Sequence, residues 1–387
     1  MEPLYPPDIT SMPASDRVAY FRTQVTIKHP SLVQTRDELL WAILDSLPGS
    51  MILLYGPTEV GKTTLLKIVM DALVEHMRSD LERDPGRLPF VRVHAKNPSS
   101  HNFDWKEYFR NLLEVMCEPL IDHKNDEHRW AALRKEYSDL LANYRSSGSK
   151  FRTAAEGALR HRNPLALLID DAQHFGVVRS GRSLLDQLNT LKSVCDQTQI
   201  TQVLGGTYEL LPFRNLNGQL SRRSIDIHFK RYDVDIKEHR QAFVNVLATF
   251  QAHLPIRNTP DLVSDWDYFY ERSLGCVGIL KDWLTRSLSL ALREGKERLT
   301  RQHIDRRALS ISQCTEILSE IVDGERELVE TEEKRLLLRG NLKLAISKSS
   351  ENAPPSVSKG GDEVSTKKPY RRAGKRNPIR DKTGKKI

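Results

Sequence analysis

The sequence predicts an α/β protein whose parallel sheet is covered by helices on both faces, followed by a smaller all-helical part. Three observations lead to this prediction. Between residues 48 and 233, short apolar runs typical of strands alternate with helical stretches, as in a parallel sheet. From Ile236 onward the apolar residues follow the helical period only. A glycine-containing loop joins the first apolar run to a helix.

The expected elements follow from these patterns in chain order. The expected strands are the apolar runs 51–55, 90–94, 165–169, 199–204 and 225–229. The helices expected around them are 16–23, 34–47, the segment from the loop to about residue 83, 104–116, 127–144, 153–160, 184–195 and 216–223. The helices expected afterwards are 236–253, 262–273, 277–294, 301–309 and a longer charged helix over 312–344.

The same patterns divide the chain into five parts. An N-terminal extension with helices is expected over 1–47, and the main α/β domain, a three-layer sandwich, over 48–233. A helical lid domain should cover 234–310 and a helical extension 311–347. Residues 348–387 consist mostly of Ser, Pro, Gly and Lys, so we expect a disordered basic tail.

Composition narrows the class of protein. Hydrophobic residues make up 39% and charged residues 28% of the 387 residues, which is ordinary for a globular chain. No run of eighteen apolar residues predicts a membrane span, and the N-terminus lacks the pattern of a secretory signal. The four cysteines are scattered, without a C-x-x-C pair, so we expect no disulfide framework or metal site and a reducing cytoplasmic location.

The positive charge is concentrated at one end. Residues 367–387 hold ten Lys or Arg residues against one acid, Asp381, a net charge of +9, whereas the whole chain carries +8. The rest of the chain is therefore close to neutral. Such a tail is typical of a polyanion-binding arm, most often for nucleic acid, and a solvated solubility tail is the alternative.

The loop after the first apolar run carries the strongest motif. Gly56, Gly61, Lys62 and Thr63 have the spacing G-x-x-x-x-G-K-[ST] between a strand and a helix, which predicts a phosphate-binding loop. Its glycines let backbone N–H groups surround phosphates, Lys62 would reach the β- and γ-phosphates, and Thr63 would bind Mg²⁺. We expect ATP and Mg²⁺ to bind here. The expected binding residues of the loop are Gly56, Pro57, Thr58, Glu59, Val60, Gly61, Lys62, Thr63 and Thr64.

A second buried run ends in two carboxylates. Asp170 and Asp171 follow LALLI, a pattern that alone is usually an ordinary strand end. After a phosphate-binding loop it predicts that Asp170 holds Mg²⁺ with Thr63, and that Asp171 orients or deprotonates the attacking water. Asp171 is one methylene shorter than the glutamate usual there, so we expect slow ATP hydrolysis that acts mainly as an assembly switch.

The order of these segments resembles the AAA+ fold, and within it the TnsC/TniB family of transposon ATPases. The resemblance covers about residues 15–300. The segments that carry it are YGPTEVGKTTLLK (55–67), FDWKEYFRNLLEVMCEPLIDHK (103–124), LALLIDDAQHF (165–175), TQVLGGTYELLPF (201–213) and LSRRS (220–224). The sequence departs from the family at Glu59, where glycine is frequent, and at Asp171.

The resemblance implies roles for further residues. Thr207 would be the sensor that touches the γ-phosphate or the attacking water, although a simple turn threonine fits equally well. Arg222 or Arg223 would reach the ATP site of a neighbouring subunit; the alternative is a surface arginine pair. A sensor arginine often lies three residues after a glycine such as Gly275, but Gly278 stands there.

Four residues are candidates for DNA contact. Lys96, Lys150, Arg152 and Thr153 lie near the ends of helices beside core strands. They could bind the backbone of double-stranded DNA without reading bases. A solvated helix surface is the alternative for each of them.

The resemblance further implies the function. Proteins of this family bind ATP at subunit interfaces and form homo-oligomeric rings or filaments on DNA. They link a target selector, such as TniQ with a CRISPR effector, to the transposase TnsB and sometimes TnsA, with no role for a membrane. A bacterial, nucleoid-associated location would follow.

Three other functions remain open at this stage. One is an AAA+ replication initiator or helicase loader, which would usually carry a winged-helix domain after the lid. Another is an AAA+ ATPase of a secretion or signalling complex that does not bind DNA. The third is a nucleotide-binding scaffold without turnover.

Overall fold

The fold was analysed in a computed structural model of the chain. The structure describes residues 4–97, 103–121, 147–176, 184–215, 224–258 and 260–344. By its internal contacts the chain divides into two compact units, residues 1–329 and 330–387. Among the described helices, none has the length and apolar character needed to cross a membrane.

A five-stranded parallel sheet forms the centre of the first unit, in the order β2-β3-β4-β1-β5. The strands are β1 (Met51–Tyr55), β2 (Phe90–His94), β3 (Ala166–Asp170), β4 (Thr201–Gly206) and β5 (Ser224–His228). The three inner strands, β3, β4 and β1, are buried along their whole length, whereas the edge strands β2 and β5 are partly exposed. All five predicted strands are present, with ends that differ by at most two residues from the expected ones.

Helices cover both faces of this sheet. The helices of the first unit that precede β5 are α1 (Ala14–Thr23), α2 (Pro30–Asp45), α3 (Lys62–His76), α4 (Arg78–Arg83), α5 (Trp105–Val115), α6 (Ser147–Arg162), α7 (Leu184–Thr198) and α8 (Leu211–Asn215). Side chains of α5, α6 and α7 form the apolar core on one face of the sheet, and those of α2 and α3 form the core on the other face. The expected three layers are therefore present.

A second apolar core is built mainly from helices and contains no strand residue of the sheet. In the described part of the first unit, the helices after β5 are α9 (Lys237–His253), α10 (Trp266–Ser273), α11 (Val277–Arg293), α12 (Arg301–Asp305) and α13 (Ile311–Leu328). Trp283 of α11 is buried at the centre of this core and donates a hydrogen bond to the carbonyl of Ile304 at 2.8 Å. The helix α1 also packs here, through Phe21, and the buried Arg17 donates to the carbonyl of Pro255 at 2.6 Å.

Two of the predicted long helices are interrupted, so the sequence prediction was wrong there. The helix after the phosphate loop ends at His76, and α4 begins at Arg78. The predicted helix 312–344 is two helices, α13 and α14 (Glu332–Asn341). The chain is extended at Val329, and the Thr331 hydroxyl caps α14 by accepting from the Lys334 N–H.

Other predictions fall where the structure gives no description. The helices expected at 127–144 and 216–223 lie outside the described residues, as does the basic tail from residue 348 onward. The helix expected at 301–309 is shorter and ends at Asp305.

Candidate nucleotide-binding site

The site lies at the carboxyl ends of the three inner strands. The phosphate loop follows β1, Asp170 closes β3, and Thr207 follows β4. Because β4 lies between β1 and β3 and all three are parallel, these segments meet at one edge of the sheet. Ligands of open α/β sheets bind at this edge.

The phosphate loop has the backbone that its glycines predict. At Gly56, a Cβ atom would lie 2.3 Å from the carbonyl oxygen of Phe229, so only glycine fits at this close approach. Gly61 has φ +117°, a left-handed value, and forms the N-cap of α3 without a side-chain cap. The first N–H groups of α3 therefore face the loop, an arrangement suited to anions. Glu59 adopts φ 56°, which explains why glycine is favourable at that position.

Lys62 is folded back over its own loop. Its Nζ atom donates to the carbonyl oxygens of Gly56 at 2.9 Å and Pro57 at 2.6 Å. Burial lowers the pKa of Lys62 to about 8, and nearby acidic groups, including Asp170 and Asp171, act in the opposite direction. The loop carbonyls thus hold the ammonium group beside the space that phosphates would fill.

The Asp170 carboxylate lies at the centre of a small polar cluster. Its Oδ2 atom accepts from Thr63 Oγ1 at 3.4 Å and from an Arg92 guanidinium N–H at 2.7 Å. Its Oδ1 atom accepts from the backbone N–H of Asp171 at 3.2 Å. The structure thus brings together Thr63 and Asp170, the two residues that the sequence predicts as magnesium ligands.

Asp171 lies at the exposed side of this cluster. Its side chain is 55% exposed, and its φ of 56° is unusual for a residue other than glycine. His94 Nδ1 lies 3.7 Å from the Asp171 carboxylate and 3.9 Å from that of Asp170. The Asp171 carboxylate is therefore free to approach a water molecule, as a general base must.

Thr207 carries a buried hydroxyl without a hydrogen-bond partner. The side-chain amide oxygen of Gln173, Oε1, is also buried without a hydrogen-bond partner, and it lies against Gly206. Buried polar atoms are usually satisfied, so two unsatisfied atoms at this edge indicate a place where a ligand or water binds. The next residue, Tyr208, is fixed by a 2.9 Å hydrogen bond between its hydroxyl and His228 Nε2.

The lid helix α11 begins directly above the phosphate loop. At Gly278, a Cβ atom would lie 2.1 Å from the carbonyl oxygen of Glu59. No larger side chain fits at Gly278 in this arrangement, which explains why the sensor arginine of the AAA+ class has no counterpart there. Partial desolvation, and then the charge of Asp282, raise the pKa of Glu59, while Arg286 acts in the opposite direction.

Two residues of the site were missed by the sequence analysis. Arg92 and His94 both contact Asp170 from strand β2. Alternate residues of a strand share one face, so Arg92 and His94 lie on the same face of the expected strand 90–94. Only the register of β2 with β3, in which His94 lies opposite Asp170, brings them to the carboxylate.

The predicted DNA contacts do not form one exposed patch. Lys150 is buried, with 5% of its surface exposed, and its contact with the DNA backbone stays a prediction. Lys96 is exposed but pairs with Glu107 at 3.0 Å, and Arg152 pairs with Glu156 at 2.7 Å. Thr153 is exposed on α6, and for it, Lys96 and Arg152 the role stays a prediction.

The structure gives no position for the arginine that is predicted to reach the ATP site of a neighbouring subunit. Arg222 and Arg223 lie outside the described residues. Within the part of the chain that the structure describes, no group of three His, Cys, Asp or Glu side chains is arranged to hold a metal ion by itself. A divalent cation at Thr63 and Asp170 would therefore need oxygens from a bound phosphate, as is usual for Mg²⁺.

Comparison with known proteins agrees with this geometry. Residues 45–213 match the family model described as an AAA domain. A search of the curated proteins finds no match to the sequence.

Several solved structures are similar to this chain at low identity. The ORC1 protein of Aeropyrum pernix in complex with DNA is 15% identical, with 74% of this chain and 68% of that chain covered and a TM-score of 0.50. The ORC2 protein of the same organism is 14% identical over 76% and 72%, with a TM-score of 0.46. Cdc6p of Pyrobaculum aerophilum is 14% identical over 75% and 69%, with a TM-score of 0.48. The AAA-domain match over residues 45–213, together with the ORC1 structure at a TM-score of 0.50, shows that the protein has the AAA+ fold.

Proposed function

We propose that the protein is a magnesium-dependent ATPase. The observation that carries this proposal is the meeting of the phosphate loop with the Thr63–Asp170 pair, 3.4 Å apart, at the carboxyl edge of the sheet. The buried Thr207 hydroxyl without a partner lies at the same edge and fits a third contact to a bound nucleotide.

Each residue has a defined task in this proposal. The loop N–H groups and Lys62 bind the phosphates, and Thr63 with Asp170 holds Mg²⁺, which neutralises charge on the phosphates when bound. Asp171 orients or deprotonates the attacking water, and Thr207 orients the γ-phosphate or that water. Asp171 lies at an exposed position and is shorter than glutamate, so turnover should be slow.

We further propose that ATP controls assembly of the protein on double-stranded DNA during transposition. The support is the resemblance of residues 15–300 to the TnsC/TniB family, together with the tail charge of +9. In this role the protein would relay target choice from a selector such as TniQ to the transposase TnsB. The DNA contact would be to the backbone and therefore strongly salt-dependent.

A replication-initiator function is the second candidate. It is favoured by the fold shared with the Aeropyrum pernix ORC1 protein, which was solved in complex with DNA. In the described chain after residue 310, however, the secondary structure consists of α13 and α14 only. A winged-helix domain would need strands as well.

Electron microscopy on linear duplex DNA tests the proposed function directly. The purified full chain is examined with ATP and with ADP, beside Lys62→Ala and the control Lys67→Ala. Lys67 is exposed on the same helix, about one turn further on. We expect ordered assemblies with ATP for the wild type and for Lys67→Ala, and none for Lys62→Ala because the phosphate charge loses its partner.

The outcomes separate the alternatives. Normal assemblies of Lys62→Ala would contradict the role of the phosphate loop. ATP binding without assembly on any DNA would favour an ATPase that acts outside DNA transposition. Assembly confined to particular DNA sequences would favour the initiator function, because backbone contacts alone are blind to sequence.

A further inference from the structure

The Asp170 carboxylate already has a cationic partner in the protein itself. Arg92 donates to its Oδ2 atom at 2.7 Å, and the two side chains are 18% and 4% exposed. Their contact is thus one of the more deeply buried arginine–carboxylate pairs among the described residues. A carboxylate this deeply buried is unfavourable without a positive charge beside it.

Both oxygens of that carboxylate are in use. Oδ1 accepts from the backbone N–H of Asp171, and Oδ2 accepts from Arg92 and, at a longer 3.4 Å, from Thr63. A cation bound between Thr63 and Asp170 would therefore have to share or replace the hydrogen bond from Arg92. The guanidinium and the magnesium ion carry charge of the same sign and need the same oxygen.

Arg92 is held where it can act in this way. It lies on the edge strand β2, one pleat before His94, which pairs in register with Asp170. Its Nε–H is buried without a hydrogen-bond partner, so the guanidinium is only partly satisfied by its present contacts. A buried N–H without a partner is unfavourable, so this donor can form a new hydrogen bond when the contact with Asp170 is rearranged.

We propose that Arg92 is a positioning residue that serves as the counterion of Asp170 when magnesium is absent and competes with the metal for it. This inference rests on the proposed nucleotide-binding function and adds a device that sets the magnesium requirement of the site. Arg92 keeps the metal ligand ordered in the free protein through the hydrogen bond to its Oδ2 atom. It also raises the magnesium concentration at which the nucleotide is fully bound.

Magnesium titration of nucleotide binding tests this role. A fluorescent ATP analogue is bound to the full chain at a fixed concentration, and Mg²⁺ is added from an EDTA-buffered start. The variants are Arg92→Gln, Arg92→Lys and the control Arg162→Gln. Arg162 forms a comparable partly buried pair with Glu118 at 3.2 Å. It is the last residue of α6, which leads into the amino end of β3, whereas Asp170 lies at the carboxyl end of that strand.

The expected result has a definite sign. Because the guanidinium repels a metal ion at the oxygen that they share, Arg92→Gln should lower the half-saturating Mg²⁺ concentration about tenfold. Arg92→Lys should return it towards the wild-type value, and Arg162→Gln should leave it unchanged. Arg92→Gln should also melt earlier than the wild type in EDTA, with that loss reduced by Mg²⁺ and nucleotide.

Each other outcome has one meaning. A folded Arg92→Gln protein with an unchanged or higher half-saturating Mg²⁺ concentration would overturn the inference and leave the proposed function standing. If the wild type binds no nucleotide at any Mg²⁺ concentration, the proposed function is overturned, and the inference with it.

Discussion

At the scale of single residues, the candidate site stores backbone strain on both sides of the phosphate space. Glu59 in the phosphate loop and Asp171 after β3 both adopt φ 56°. A left-handed conformation costs a residue with a Cβ atom about 1–2 kcal/mol, and such residues cluster where function fixes the backbone. Lys62 is under a different constraint, because its ammonium group is partly buried against the carbonyl oxygens of Gly56 and Pro57 before any phosphate is bound.

The lowered pKa of Lys62 predicts a pH dependence of ATP binding. The pKa of Lys62 is about 8 in the folded chain and 10.5 ordinarily. At pH values between these two, Lys62 holds a proton in the unfolded chain that it has lost in the nucleotide-free folded chain. Stability of the nucleotide-free protein should therefore rise with pH in this window. ATP needs the charged form, so its affinity should fall above pH 8, by up to about tenfold per pH unit.

Calorimetry at pH 8.5 in two buffers of different ionisation enthalpy measures the predicted proton uptake on ATP binding. Lys281→Gln is the control, because burial also lowers the pKa of Lys281 but on the lid helix. Proton uptake that persists in this variant assigns it to Lys62. Binding without proton uptake, and with an affinity that stays constant up to pH 9.5, would contradict the prediction.

At the scale of elements, α13 is held against the strand ends that carry the site. A Cβ atom at Gly324 would lie 2.2 Å from the ring of Tyr208, the residue after Thr207. The next residue, Glu325, pairs with Arg231 through two hydrogen bonds of 3.0 and 3.1 Å. This helix therefore contacts both Tyr208, in the segment after β4, and Arg231, in the segment after β5.

The contact at Gly324 predicts an unusual response to alanine. Inside a helix, Gly→Ala normally stabilises by about 0.5–1 kcal/mol. Gly324→Ala should instead lower the free energy of unfolding by about 1–3 kcal/mol, because the methyl group overlaps the Tyr208 ring. The matched control is Gly157→Ala on α6, where a Cβ atom would meet nothing within 4 Å.

Urea denaturation of the two alanine variants measures both effects. Gly157→Ala should move the midpoint upward and Gly324→Ala downward. Equal upward shifts would mean that α13 does not rest on Tyr208.

The elements also show what the sequence could and could not predict. The strands were predictable because apolar runs end in residues with strong local preferences, such as Gly56 and Asp170. The breaks at Met77 and Val329 carry no proline or glycine at the break itself, so the helical pattern continued across them.

Contacts between distant parts of the chain could not be predicted from the sequence, for a different reason. The pairing of Arg92 with Asp170 and the close approach of Gly278 to Glu59 join residues far apart in the chain. They depend on strand register and on lid packing, which local sequence patterns do not encode. The motif residues of the site could be predicted, and their supporting partners could not.

At the scale of the whole molecule, the positive charge is concentrated in one segment of the sequence. Residues 1–366 are nearly neutral, and the +9 segment 367–387 lies outside the described residues. If DNA binding depends on the tail alone, it should be independent of ATP. If it depends on assembled AAA+ units, ATP should control it whether or not the tail is present.

Truncation after residue 348 distinguishes these two cases. We expect the shortened chain to bind duplex DNA more weakly and with a shallower salt dependence, since each lost phosphate contact reduces the slope of log K against log salt by about 0.9. We also expect binding to remain ATP-dependent, because the phosphate loop and the lid are intact. Fluorescence anisotropy with labelled duplex DNA between low and physiological salt, with ATP or ADP, measures both quantities.

A second variant keeps the length of the tail but replaces its ten Lys and Arg residues with Gln, and so separates charge from chain length. It should match the truncated chain if charge alone matters. Loss of all DNA binding in both variants would place DNA recognition in the tail and contradict ATP-gated assembly on DNA. Unchanged affinity and salt dependence in both would instead make the tail a solubility segment, with the AAA+ units as the DNA-binding part.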